Sequence, residues 1–113
     1  MPRIPDRGDV YHVDLDPVKG KEQRGRRYVF VLSPAEHNKR GLVIVLPISQ
    51  GETLARSAGF TCTLMRAGTR TQGVIICDQP RTLDFANRSA RFVETVPQEI
   101  IEDVLSRIVV LVS

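Results

Sequence analysis

Residues 20–27, GKEQRGRR, carry Lys21, Arg24, Arg26 and Arg27 with Glu22 and Gln23 among them. Gly20 and Gly25 flank and interrupt the charges, so a helix that would spread them around its surface is not expected. The planar fork of arginine donates two parallel hydrogen bonds to a phosphate. A carboxylate in the same loop can take up a proton. These are the parts needed to cut RNA, because RNA brings its own nucleophile. The ribose 2′-OH is already held next to the phosphorus, so a protein need only align it, move protons and stabilise charge growing on the phosphate oxygens. Arginines can carry the last task without a metal, and DNA, lacking the 2′-OH, would be inert. The same charges also fit a solvated loop face.

Other chemistries find less support. The two histidines, His12 and His37, could serve as acid and base on a phosphodiester. Yet His12 falls among the polar positions of a strand alternation and His37 in a short surface turn, which is how structural histidines are placed. Cys62 and Cys77 form no CxxC pair, and no Cys/His cluster has zinc-ligand spacing. Reduced thiols and no metal or cofactor are expected. Gly59, Gly68 and Gly73 are too scattered for a nucleotide-binding fingerprint.

The chain must place the basic loop with one modest core. It has 113 residues, 42% hydrophobic and 26% charged, which bounds it to a single globular domain over residues 1–113. The net charge of +3 is too small for a histone-like binder. The charge is uneven, however: residues 19–40 hold seven Lys or Arg against only Glu22 and Glu36, a local patch suited to phosphate or carboxylate. No early apolar run reads as a signal peptide and no stretch is long enough to span a membrane, so a cytoplasmic protein without a membrane partner is expected.

The punctuation is that of a small β protein. DVYHVDLDP alternates and reads as a half-buried strand ending at Pro17; YVFVL, residues 28–32, is a second. SPAEHN offers Ser33 as N-cap, Pro34 at the first helical position and Glu36 three residues after Ser33, hence one short helical turn. LVIVL, residues 42–46, reads as a strand buried on both faces, and residues 47–59 as a long loop. FTCTL, GVIICDQ and ARFVETV supply further strands, with DQPRT as a turn. Residues 97–108 have helical spacing, with Thr95 and Gln98 spaced as a capping box. The tail IVVLV is apolar on every side, which fits an inner strand or a surface meeting another subunit. Five or six short strands and one helix favour a small antiparallel sheet or barrel with a C-terminal helix.

Several of these stretches stand together in one known pattern. RGDVYHVDLDPVKGKEQRGRRYVFVLSP, then VLPIS, then CDQPRTLD, in this order and at compatible spacings, resemble the MazF/PemK family of toxins from toxin–antitoxin pairs. ISQGETLARSAGF and GVIICDQPRTLDFANR are most similar to its PemK/Kid branch, and the resemblance runs from about residue 7 to 113. It implies a mainly β fold, a small SH3-like antiparallel β-barrel with a C-terminal α-helix, usually homodimeric. It implies sequence-specific, metal-independent cleavage of single-stranded RNA to a cyclic phosphate and a 5′-OH, inhibiting translation. The implied partner is a small antitoxin whose acidic C-terminal segment folds onto the active site, with operator DNA contacted only through the toxin–antitoxin complex.

Carried over by position, the resemblance puts Glu22, Gln23 and Arg27 in the first active-site loop, Arg27 as the phosphate-contacting arginine. Ser49 falls where many members have a catalytic threonine, and Asp78 matches a proposed acid/base aspartate. Ile76 stands where Kid-like members carry arginine, and Tyr28 replaces the usual proline. Arginine is a poor acid in any case, so charge stabilisation passes to Arg27 or Arg26. Glu22 is then the candidate base for the 2′-OH, and Asp78 a candidate for positioning or acid work. An ion pair with Arg81 that pins the DQPRT turn is the alternative for Asp78. Phe60 is a candidate base contact or a core phenylalanine. Lys21, Arg24 and Arg56 are candidate phosphate contacts, with Gln23 and Arg26 completing the RNA-binding set. Two other readings stay open: a gyrase-poisoning toxin of the same fold, and a catalytically weak nucleic-acid-binding relative.

Overall fold

The computed structural model describes residues 3–15, 26–50 and 60–113. Lys21, Glu22, Gln23, Arg24 and Arg56 lie outside the described residues. Among the described residues, seven strands, two α-helices and one 3-10 turn follow in order: β1 (Asp9–Asp14), β2 (Arg26–Val31), α1 (Ala35–Asn38), β3 (Leu42–Ser49), β4 (Thr61–Thr63), β5 (Val74–Ile76), β6 (Arg81–Asp84), the 3-10 turn Phe85–Asn87, β7 (Arg91–Thr95) and α2 (Gln98–Val112). All strand pairings are antiparallel. The path runs β4-β5-β3-β2-β1-β7, and β6 joins it by pairing with β3. This mainly β, barrel-like sheet with a C-terminal helix is the expected fold class, although among the described residues the sheet is not closed between β4 and β7.

Strand alternation divides the interior in two. Val10, Phe30, Leu46, Ile48 and Ile75 point to a cluster completed by Ile101 and Val104 of α2. Tyr11, Val13, Val29, Val31, Val43 and Val45 point the other way, to a cluster closed by Leu83 of β6. Two faces covered at once explain the dense run of β-branched residues in β2 and β3. The sheet and α2 come close where the chain enters β1: Gly8 has φ +96°, and a Cβ there would collide with the Ile101 side chain. Beside it the buried Asp9 carboxylate accepts from the Arg3 guanidinium at 3.1 and 3.0 Å and from the Thr95 hydroxyl at 2.9 Å.

Six expectations are corrected. The described residues hold seven strands, because RTLD, whose Arg81 and Thr82 fall in the expected DQPRT turn, forms β6 by pairing Val43 with Leu83 and Ile44 with Thr82. Residues 47–49, assigned to a loop, extend β3; Pro47 opposes Val29 where β3 has left β6 and not yet met β5. LVIVL is not fully buried, since Leu42 is 46% exposed. Neither expected cap forms. Ser33 turns inward, its hydroxyl donating to Asn38 Oδ1 and accepting from the Ile44 N–H, so Pro34 holds the cap position of α1. Pro97 caps α2, while Thr95 serves Asp9 and Gln98 reaches Glu102. The tail is not an inner strand: α2 continues to Val112 with Val109, Val110 and Val112 exposed. Cys62 and Cys77 are free and buried. Burial, then the Asp103 carboxylate that accepts from its thiol, pushes Cys62 up to about 12, so it stays protonated.

Candidate active site

The end of β1, the start of β2 and the end of β3 surround a cavity of about 540 Å³, with Ile76 of β5 on its wall. Arg26, Arg27 and Ser49 all line it. Two cationic residues of β2 and a hydroxyl residue of β3 thus border one cavity. The antiparallel ladder explains how: Arg26 opposes Asp14, Arg27 opposes Val13, and the next pairs carry β2 onto β3 at Val29 and Pro47. Ser49 owes its place to close approach of β5. Gly73 sits at φ +122°, and a Cβ there would collide with the Ser49 carbonyl oxygen. A smaller depression of about 290 Å³ continues past Ser49 and Gln50 toward Thr63, Gln72 and Gly73. The Gln50 side chain donates to the Gln72 carbonyl at 3.1 Å and bridges the two.

His12 also lines the cavity, which its position in the alternation did not announce. It opposes Tyr28 on β2 and Arg91 on β7. Arg26 Nη2 lies 3.3 Å from His12 Nδ1, 3.4 Å from the His12 carbonyl and 3.3 Å from the Ser89 carbonyl. A guanidinium only donates, so Nδ1 accepts and the ring proton belongs on Nε2. Burial first, then the charges of Arg26 and Arg91, hold the His12 pKa below the ordinary histidine value, so the ring is neutral at pH 7. The one signal that could have found His12 is its register opposite the residue that follows the basic loop, and register is a property of the pair of strands.

The structure does not bring every candidate to this cavity. Asp78 is exposed in the turn after β5, two residues past Ile76, and lines neither depression. Among the described residues no Asp78–Arg81 ion pair forms. Arg81 Nη2 instead donates to the Leu15 carbonyl at 3.4 Å, and Arg88 donates to the same carbonyl at 2.6 Å, so both tie down the end of β1 at the cavity rim. Phe60 is half-buried just before β4 and belongs to neither buried cluster, which corrects its reading as a core residue; its carbonyl accepts from the Cys77 N–H at 2.8 Å.

A profile of the family described as "PemK-like, MazF-like toxin of type II toxin-antitoxin system" matches residues 6–112. The chain belongs to this family. Endoribonuclease PemK of Escherichia coli is 43% identical over 104 residues, covering 91% of this chain and 78% of the relative. Endoribonuclease toxin ChpB of E. coli strain K12 is 36% identical over 109 residues, covering 96% and 94%. Among solved structures, MazF from Deinococcus radiodurans superposes with a TM-score of 0.81 at 31% identity, covering 97% of both chains. A MazE–MazF complex from the same organism gives 0.83 at 31% identity, covering 97% and 96%. The open, bent sheet with its terminal helix is therefore the PemK-like, MazF-like toxin fold, and the cavity belongs to this toxin scaffold.

Proposed function

We propose that this toxin is an endoribonuclease that cuts single-stranded RNA by attack of the 2′-OH on the adjacent phosphorus. The observation that carries the reading is the meeting of Arg27 and Ser49 in one cavity where β2 begins and β3 ends. Family membership and relatives named as endoribonucleases support it. The relatives' names also favour it over the gyrase-poisoning alternative. In this reading the 2′-oxygen–phosphorus bond forms as the phosphorus–5′-oxygen bond breaks. Glu22 takes the 2′ proton, and the departing 5′-oxygen takes one from solvent water, since Asp78, the other candidate acid, lines neither depression. Arg27 donates to the phosphate oxygens as their charge grows, and the Ser49 hydroxyl holds one of them. Lys21, Gln23, Arg24 and Arg56 contact the flanking strand. An antitoxin with an acidic tail would compete for the same cations, as the toxin–antitoxin complexes of the neighbouring structures encourage. Among the described residues no helix is long and apolar enough to cross a membrane, and the reading places the protein in the cytoplasm.

The test is incubation with a long RNA in EDTA, followed by mapping of both ends at each cut. Cleavage that persists and leaves a 2′,3′-cyclic or 3′-phosphate with a 5′-OH is the expected result. Activity that vanishes on chelation and returns with Mg²⁺ would overturn the metal-independent mechanism.

A further inference from the structure

One wall of the cavity has no part in phosphate chemistry. The rings of His12 and Tyr28 lie with centroids 4.6 Å apart and planes inclined by 36°. Both are half-buried and both line the cavity. Tyr28 packs against the apolar cluster that includes Ile101 and Val104 of α2. The imidazole is held instead by Arg26, whose Nη2 spans His12 Nδ1, the His12 carbonyl and the Ser89 carbonyl. Phosphate oxygens call for N–H and O–H donors, which Arg27 and Ser49 supply. A paired aromatic surface beside them suits the other half of a nucleotide, since every base has a π-face that stacks on a ring.

We infer that His12 and Tyr28 form a platform that stacks the base of the nucleotide whose phosphate lies at Arg27 and Ser49, and that Arg26 is the positioning residue for His12. The inference rests on the endoribonuclease reading and adds to it a pair of base-stacking residues. It also gives Arg26 a different task from its neighbour. Arg27 faces the phosphate, while Arg26 keeps an imidazole edge tethered so that its ring can stay against Tyr28.

The experiment uses short single-stranded RNA containing a mapped cleavage site, with a 2′-deoxy sugar at the scissile nucleotide so that it binds without reacting. A series carries one abasic nucleotide at each position, and affinity is read by fluorescence anisotropy. For the wild-type protein, removing the base next to the scissile phosphate is expected to weaken binding by about 5- to 150-fold, the range for loss of one stacked base. In Tyr28→Leu, which keeps apolar bulk without a ring, the penalty at that position shrinks to near onefold while those elsewhere persist. His12→Phe keeps the penalty, whereas His12→Ala loses most of it. An abasic profile unchanged in both Tyr28→Leu and His12→Ala overturns the platform while leaving the cleavage reading intact. A wild-type protein that neither binds nor cuts RNA overturns both.

Discussion

Arg26 and Arg27 are adjacent in sequence and opposite in orientation, because successive side chains of a strand leave on opposite sides. Arg26 turns toward His12 and Ser89, and Arg27 is exposed beside the cavity, its Nη1 also donating to the Arg26 carbonyl at 2.8 Å. The cluster of arginines was visible in the sequence; the division of labour was not, since it depends on which acceptors β1 and the turn before β7 present. Ser49 was legible only through the resemblance, for nothing in PISQ distinguishes a site hydroxyl from a loop serine. If Arg27 donates to the charge that develops on phosphate, Arg27→Ala lowers the cleavage rate by about 10²–10³. Single-turnover kinetics on a mapped RNA check this. A rate close to wild type, with far-UV circular dichroism unchanged, would remove Arg27 from the site.

At the scale of elements, β3 organises the molecule by serving three partners in eight residues: β6 along Leu42–Val45, β2 along Val45–Pro47 and β5 at Ile48 and Ser49. The continuous apolar run revealed its first half but not its continuation, because Pro47 reads as a terminator when only one strand is in view. β6 was hidden for a related reason. Its four residues contain one buried side chain, Leu83, and its identity as a strand lies in pairing with β3 across about forty residues. Both helix caps were misread because Ser33 and Thr95 had stronger tertiary partners than their own helix ends. The contact of β5 with the end of β3 gives a test at this scale. Gly73→Ala adds a Cβ against the Ser49 carbonyl at a φ that side chains rarely adopt. It should cost about 1–3 kcal/mol in urea unfolding and lower the cleavage rate, because Ser49 must move. Gly68, at φ +82° with open space around its Cβ position, is the control: Gly68→Ala costs stability for the backbone alone and leaves cleavage unchanged. Equal effects of the two substitutions on cleavage would show that Ser49 does not depend on this contact.

For the whole molecule, the sequence posed a question it could not answer: whether IVVLV is interior or interface. The helix settles its conformation. Ile101 and Val104 are buried on the α2 face that closes the core, whereas in the last turn Val109, Val110 and Val112 are 57%, 70% and 78% exposed. A run of bare valines at a helix end is an aggregation hazard for a monomer, and a self-complementary contact is the commonest way to cover such a surface. A two-fold homodimer joined through this end of α2 is therefore the proposed assembly. It should sediment at twice the chain mass at micromolar concentration. Val110→Glu combined with Val112→Glu should shift the protein toward monomer, since burying two unpaired carboxylates at the contact is far costlier than leaving them in water. Both positions are exposed on the folded chain, so the helical circular dichroism signal should persist. Sedimentation equilibrium checks the pair of proteins together. A wild type that remains monomeric would refute the dimer, and a double variant that stays dimeric would move the contact to another face.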